Sequence, residues 1–65
     1  MKILIWQART EKGISLTELS RRTGISKGAL DNYENELRSP TINQLEKIAK
    51  ALGTSITNLF ESPYK

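Results

Sequence analysis

Turn-forming residues divide this chain at short and nearly regular intervals. Gly13, Gly24, Pro40 and Gly53 separate pieces that are each long enough for only a short helix. Short helices are stable mainly when their apolar faces pack against one another. The spacing therefore predicts an all-α fold, a compact bundle of five helices. At 65 residues the bundle is one small domain of modest stability, which buries only about 60% of the surface of its unfolded chain.

Capping signals give the predicted helix boundaries. The N-cap candidates are Ser15, Ser26, Thr41 and Ser55. Two of them, Ser15 and Thr41, precede Glu18 and Gln44 at the spacing of a capping box, in which two side chains bind first-turn amides. The predicted helices cover residues 2–12, 16–23, 27–35, 42–52 and 56–60.

Helical periodicity predicts which faces are buried. In the second helix Leu16, Leu19 and Thr23 share one face, and in the third Leu30 is the centre of the buried face. The fourth helix has the strongest pattern, and its predicted core residues are Ile42, Leu45, Ile48, Ala49 and Leu52. The third helix is left with a small and polar outward face, made of Lys27, Gly28, Asp31, Asn32 and Asn35.

Composition excludes several functions. The chain has no cysteine and no histidine, which removes disulfides, a thiolate nucleophile and the usual metal ligands, so we expect neither an enzyme nor a cofactor or metal site. No stretch is long and apolar enough for a membrane span, and the apolar start MKILIW is too short for a secretory signal. A cytoplasmic protein is expected. The net charge of +3 mildly favours a polyanionic partner, although solvated surface charge is the plainer interpretation.

The second and third helices are joined by only TGIS, residues 23–26. A short glycine-containing turn between two short helices is typical of the DNA-reading helix-turn-helix, but also of many other helical hairpins. The spacing alone therefore leaves DNA binding as one of several options.

A longer set of phrases resembles the Cro and C1 repressor type of helix-turn-helix, also called the XRE family. The phrases are EKGIS at 11–15, TELSRRTGIS at 17–26, LDNYEN at 30–35, the proline at 40, LEKIAKALG at 45–53 and LF at 59–60. The resemblance implies a lambda-repressor-like domain over residues 1–61, with the helix-turn-helix at about 16–35 and a tail at 62–65. It also implies binding to double-stranded DNA, usually as a repressing homodimer.

The resemblance makes residues 27–35 the recognition helix, with Lys27, Gly28 and Asn32 at the base-reading positions. Lys27 can donate to guanine, and Asn32 can pair with adenine. Gly28 stands where the family usually has a base-contacting side chain, so its bare backbone lets the helix approach DNA closely, unless the position is simply unselected. Asp31 either accepts from cytosine or pairs with Lys27, and we favour the pairing with Lys27.

Phosphate contacts are implied at the start of the second helix, at the start of the third and after the third. The residues concerned are Ser15, Ser26, Asn35 and Arg38. Arg9 and Glu34 match a buried ion pair of family members, with a structural role. Leu16 replaces a frequent glutamine, Glu36 a frequent glycine and Leu37 a frequent lysine, which predicts weaker phosphate binding than is usual in the family.

A second class of function remains open, a small helical protein-interaction module such as an antitoxin or a partner subunit. Its candidate contact residues are apolar, and the same residues could form a homodimer seam; they are Trp6, Leu37, Phe60 and Tyr64. Core packing is the plainer interpretation of Trp6 and Phe60. No domain for a small-molecule ligand is expected.

Overall fold

The computed structural model describes all of residues 1–65 and has a helical fold, as the sequence predicts. It contains four α-helices and one pair of short strands, so the prediction of five helices is wrong in its count. The elements in chain order are β1 (Lys2–Ile3), α1 (Ile5–Glu11), α2 (Leu16–Thr23), α3 (Lys27–Glu34), α4 (Ile42–Leu52), a 3₁₀ turn (Ile56–Asn58) and β2 (Phe60–Glu61).

Local signals account for the boundaries of α2 and α4. The Ser15 Oγ accepts from the backbone N–H of Glu18 at 3.0 Å, and the Thr41 Oγ1 accepts from that of Gln44 at 3.1 Å. At the other end of α2, Gly24 adopts a left-handed conformation with φ of 74° and its N–H donates to the Ser20 carbonyl. Each predicted capping box is only half formed, because neither the Glu18 nor the Gln44 side chain binds back to the amide of its N-cap residue.

The core lies where the helices and the two chain ends meet. Five side chains are fully enclosed, and each contributes roughly 1.5–3 kcal/mol through removal from water; they are Ile5, Leu19, Leu30, Ile48 and Leu59. The predicted inward faces of α2 and α3 are confirmed, with Leu16, Thr23, Ala29 and Tyr33 partly buried around this centre. Ile42 is a correction, because it lies in the first turn of α4 and is 66% exposed.

The two ends of the chain differ most from the prediction. Residues 2–4 do not begin a helix, because Lys2 pairs with Glu61 and Ile3 with Phe60 in an antiparallel ladder. The N–H of Leu4 donates to the Leu59 carbonyl at 2.8 Å, and α1 then begins at Ile5 without any side-chain cap. These backbone bonds replace the predicted start of the first helix and also the predicted final helix.

The segment after α4 forms only one 3₁₀ turn. Ser55 precedes this turn as predicted, but its side chain makes no capping hydrogen bond. Phe60 is already in β2, so the predicted helix over residues 56–60 is wrong. No helix of the protein is long and apolar enough to cross a membrane.

Candidate nucleic-acid interface

The outward face of α3 is largely open to solvent. Lys27, Gly28, Asp31 and Asn35 are exposed, and Asn32 is partly buried beside them. Leu30 on the opposite face is fully enclosed, which fixes the rotation of the helix. The structure therefore brings the predicted base-reading residues onto one exposed face.

Two side chains of this face have no partner within the protein. Neither the Lys27 ammonium nor the Asn32 amide makes a side-chain hydrogen bond or an ion pair to another residue. The same holds for the Arg38 guanidinium in the loop between α3 and α4, where Arg38 is exposed. Their donors are available to an external acceptor.

The position of Gly28 is permissive in the free protein. A Cβ built on Gly28 would meet no atom within 4 Å, and the residue does not have a positive φ. Neither the packing nor the backbone of the free protein therefore requires glycine at this position. Any advantage of the missing side chain must come from a bound partner.

Asp31 does not pair with Lys27, which corrects the pairing favoured above. The Asn35 amide Nδ2 donates instead to the Asp31 carbonyl at 3.0 Å and to its Oδ1 at 3.2 Å. Asp31 is thereby held towards the end of α3, and the Asn35 amide nitrogen is already engaged with Asp31. Lys27 forms no ion pair at the start of the helix.

The predicted phosphate-binding serines both act as N-caps. The Ser15 Oγ accepts from Glu18 N–H at 3.0 Å, and the Ser26 Oγ accepts from Ala29 N–H at 3.1 Å. A hydroxyl that accepts a hydrogen bond in a cap still has its own proton to donate. Each serine therefore presents an O–H at a helix N-terminus, where the helix dipole favours an anion.

Two basic side chains of α2 share one carboxylate of the same helix, which offsets one of their two positive charges. Arg21 and Arg22 both form ion pairs with Glu18. Their hydrogen bonds lower the pKa of the Glu18 carboxyl from its ordinary 4.5 to about 2, and the bond with Glu18 raises the pKa of Arg21. Arg22 also donates to the Ala51 carbonyl at 3.3 Å. These arginines are engaged with the scaffold, unlike Lys27 and Arg38.

An ion pair ties α1 to α3. The Arg9 Nε lies 2.8 Å from the Glu34 Oε2, and the Arg9 Nη2 lies 3.1 Å from the Glu34 Oε1. The two side chains are only 12% and 8% exposed, and Arg9 also donates to the Ile14 carbonyl at 3.1 Å. A bidentate and largely buried pair holds the two groups in one geometry. It fixes the last turn of α3 relative to the rest of the protein.

Comparison with known proteins identifies the same helix-turn-helix. A family model described as helix-turn-helix matches residues 7–59. The chain belongs to the helix-turn-helix family of the Cro/C1 type. Its relatives in this family are transcriptional regulators, which are not enzymes.

The SinR regulators are similar to this chain in both sequence and structure. The HTH-type transcriptional regulator SinR of Bacillus subtilis is 37% identical over 62 residues, which cover 94% of this chain and 56% of SinR. A crystal structure of SinR, described as the master regulator for biofilm formation, in complex with DNA superposes with a TM-score of 0.81 at 40% identity, over 88% of this chain and 92% of that one. The complex of SinR with SinI also superposes with a TM-score of 0.81 at 39% identity, over 89% of this chain and 57% of that one. The chain spans about half the length of the SinR proteins that it matches.

Two of the three departures from the family pattern, at Leu16 and Glu36, make contacts within the protein. Leu16, at the position of a frequent glutamine, is partly buried and packs on the core. Leu37, at the position of a frequent lysine, is 74% exposed. Glu36 does not simply project its charge, because its Oε1 accepts from the backbone N–H of Ile3 at 2.8 Å. Sequence reasoning did not predict this contact, since no local pattern connects residues so far apart.

Proposed function

We propose that this protein is a sequence-specific regulator of transcription that binds double-stranded DNA through the outward face of α3. The observation that carries the proposal is that three donor groups have no partner within the protein, namely the Lys27 ammonium and the Asn32 amide on the outward face of α3 and the Arg38 guanidinium in the loop after it. A helical scaffold similar to that of SinR in complex with DNA supports it.

Base readout rests on two side chains and one missing side chain. The Lys27 ammonium donates to guanine O6 and N7, and the Asn32 amide pairs with adenine N6 and N7, each contributing about 1–3 kcal/mol of discrimination against a wrong base. Gly28 lies between them on the exposed surface, and the bare backbone allows close approach to the base edges. In this proposal the first turn of α3 enters the major groove.

Phosphate contacts fix the position of the protein on the duplex without reading sequence. Ser15 and Ser26 donate their hydroxyl protons at the starts of α2 and α3, while Arg38 neutralises a phosphate from the following loop. Asn35 is less available for such a contact, because its side-chain amide nitrogen is bonded to Asp31 in the free protein. Arg38 therefore supplies the strongest of the phosphate contacts.

Two copies of the domain suit the usual target of such regulators. A near-palindromic operator has half-sites about 34–36 Å apart, which a homodimer matches with its own twofold symmetry. We propose that this protein represses transcription as such a dimer, in the cytoplasm, by occupying DNA that other proteins need. Three exposed side chains are candidates for the seam, Trp6, Leu37 and Tyr64.

The test is a fluorescence anisotropy titration of a mixed-sequence duplex with the purified protein at several salt concentrations. The proposal predicts that log K falls linearly with log salt. Arg38→Ala should weaken binding to all sequences alike and reduce the slope by about one, whereas Asn32→Ala should relax base preference at one position of a selected operator. Lys47→Ala, which removes a charge from the exposed side of α4, is the matched control and should bind like the wild type.

Absence of binding at low salt would favour a second function, that of a protein-interaction module. The observation in its favour is the set of exposed apolar side chains, with Trp6 54% exposed, together with the similarity to SinR in its complex with SinI.

Equal and sequence-independent losses from Asn32→Ala and Arg38→Ala would contradict the assignment of base readout while leaving DNA binding intact.

A further inference from the structure

The residue that follows the C-cap of α3 has a backbone conformation that is unusual for its residue type. Glu36 has a φ of 59° and is the one non-glycine residue of the protein with a positive φ. Its N–H donates to the Tyr33 carbonyl at 3.1 Å, and the next N–H, that of Leu37, donates to the Asn32 carbonyl at 2.9 Å. This pair of bonds is the Schellman motif, whose left-handed position normally holds glycine because a Cβ is disfavoured there.

The charge of Glu36 is unfavourable at the same place. The last carbonyls of a helix carry partial negative charge, so a carboxylate beside them is destabilising. Glu36 therefore breaks two local preferences at once, in its backbone and in its charge. A residue that does so is expected to have a compensating contact elsewhere in the fold.

The compensating contact is with the first strand. The Glu36 Oε1 accepts from the Ile3 N–H at 2.8 Å. The neighbouring N–H of Leu4 donates towards the other strand, to the Leu59 carbonyl, so that of Ile3 points away from β2 at the open edge of β1. Ile3 is buried, only 7% exposed, and a buried amide needs an acceptor. Glu36 supplies it, which couples β1 to the loop that begins at the end of α3.

We propose that Glu36 is a positioning residue that fixes the loop of residues 36–39 against β1 and so presents Arg38 to a DNA phosphate. The inference rests on the proposed function for its last step only. The Ile3 N–H holds the carboxylate, which restrains the loop and keeps the charge of Glu36 on the side of β1. The usual glycine would relax the backbone but would leave the Ile3 amide without its acceptor.

Two substitutions at this position separate positioning from charge. Glu36→Gln and Glu36→Gly remove the same negative charge, but only glutamine retains an oxygen acceptor for Ile3. Glycine also relieves the left-handed backbone, so a purely local view predicts that Glu36→Gly is the better binder. Glu46→Gln, on the exposed side of α4, controls for the loss of one carboxylate elsewhere.

The experiment combines amide hydrogen exchange with DNA anisotropy on these variants. We expect the Ile3 amide to exchange about ten- to a hundredfold faster in Glu36→Gly than in the wild type, the factor that corresponds to loss of a charge-assisted hydrogen bond, with Glu36→Gln between the two because its amide oxygen still accepts a neutral hydrogen bond. The Leu4 amide, bonded to the Leu59 carbonyl next to β2, reports whether the strand itself has detached. We expect Glu36→Gly to bind DNA several-fold more weakly than Glu36→Gln, despite their equal charge.

Unchanged exchange of Ile3 in Glu36→Gly would overturn the proposal, and so would equal DNA affinity of the two variants. If the wild type binds no duplex, the proposed function fails, but the exchange of Leu37 and Arg38 still decides the positioning role. Faster exchange of these two amides in Glu36→Gly than in Glu36→Gln supports a loop fixed by Glu36, and equal exchange overturns it.

Discussion

The helix-turn-helix of α2 and α3 and the joined ends of the chain are held together by different kinds of interaction. In the helix-turn-helix, Ser15 and Ser26 bond to amides three residues along the chain, and Gly24 makes the turn. At the joined ends, Lys2 pairs with Glu61, almost the whole length of the chain away. The surface that we assign to DNA is therefore specified locally, whereas the region that anchors it is specified by distant contacts.

This difference between local and distant contacts shows how a domain of this size holds α3 in place while one face of the helix remains exposed. The outward face of α3 contributes almost nothing to packing, so its stability depends on what holds its other sides. Leu30 is enclosed in the core, Glu34 is paired with Arg9, and the loop after α3 is bonded to Ile3. Locally specified residues are free to bind a partner because distant contacts fix the helix.

The largest effect is expected from breaking the ion pair that joins α1 to α3. Glu34→Ala leaves the largely buried Arg9 without its partner, which should lower the free energy of unfolding by about 3–5 kcal/mol, most of the stability of a small domain. Urea denaturation followed by circular dichroism measures the loss. Replacing both partners, Arg9→Met with Glu34→Leu, should restore much of it. A loss under about 1 kcal/mol would mean that the pair behaves like an exposed one.

Truncation of one core leucine in each region compares their contributions to stability. Leu19 in α2 and Leu59 next to β2 are both fully enclosed. Leu19→Ala and Leu59→Ala should each lower the free energy of unfolding by about 2–5 kcal/mol, through lost burial and the cavity left behind. Denaturant midpoints measure both variants. A small loss for Leu59→Ala alone would show that the chain ends are not part of the cooperative core.

Two serines in N-cap positions, one in the helix-turn-helix and one near the end of the chain, allow the two regions to be compared with a smaller expected effect on stability. The Ser26 Oγ accepts from Ala29 N–H, whereas Ser55 makes no capping bond. Ser26→Ala should therefore cost about 1 kcal/mol of stability, and Ser55→Ala almost nothing. Thermal unfolding of the two variants under identical conditions measures the difference. Equal losses would contradict the view that side-chain capping stabilises the helix-turn-helix but not the chain ends.

The smallest effect concerns pH. Because its ion pairs lower the pKa of Glu18 in the folded protein to about 2 from the ordinary 4.5, the carboxylate adds stability above pH 4.5, which is lost as the pH falls towards 2. Glu18→Gln should remove this part of the pH dependence. Thermal midpoints of both proteins over this range are the measurement. Salt should reduce the difference, since the pair is near the surface.

Much of the helix-turn-helix could be predicted from the sequence because its signals are local. The caps at Ser15, Ser26 and Thr41 form as predicted, and Leu19 and Leu30 are enclosed. Periodicity failed for Ile42, since the pattern gives the direction of a side chain but not whether the core extends to that end of the helix.

The chain ends and the loop after α3 could not be predicted in the same way. An antiparallel ladder depends on which distant segment is brought alongside, and residues 2–4 carry no turn or alternation that distinguishes a strand from a helix start. The Glu36 carboxylate accepts from the distant Ile3 amide, and Asp31 binds Asn35 although Lys27 is equally close along the helix. Geometry alone decides between such partners.

The most direct test of the account is an NMR titration of the isotope-labelled protein with a mixed-sequence DNA duplex at low salt. The account predicts that the largest amide shifts occur at Lys27, Gly28 and Arg38, that Phe60 in β2 is nearly unchanged, and that added salt reverses the shifts. Shifts centred on Trp6 and the chain ends, with α3 unaffected, would contradict the assignment of α3 as the DNA-reading surface.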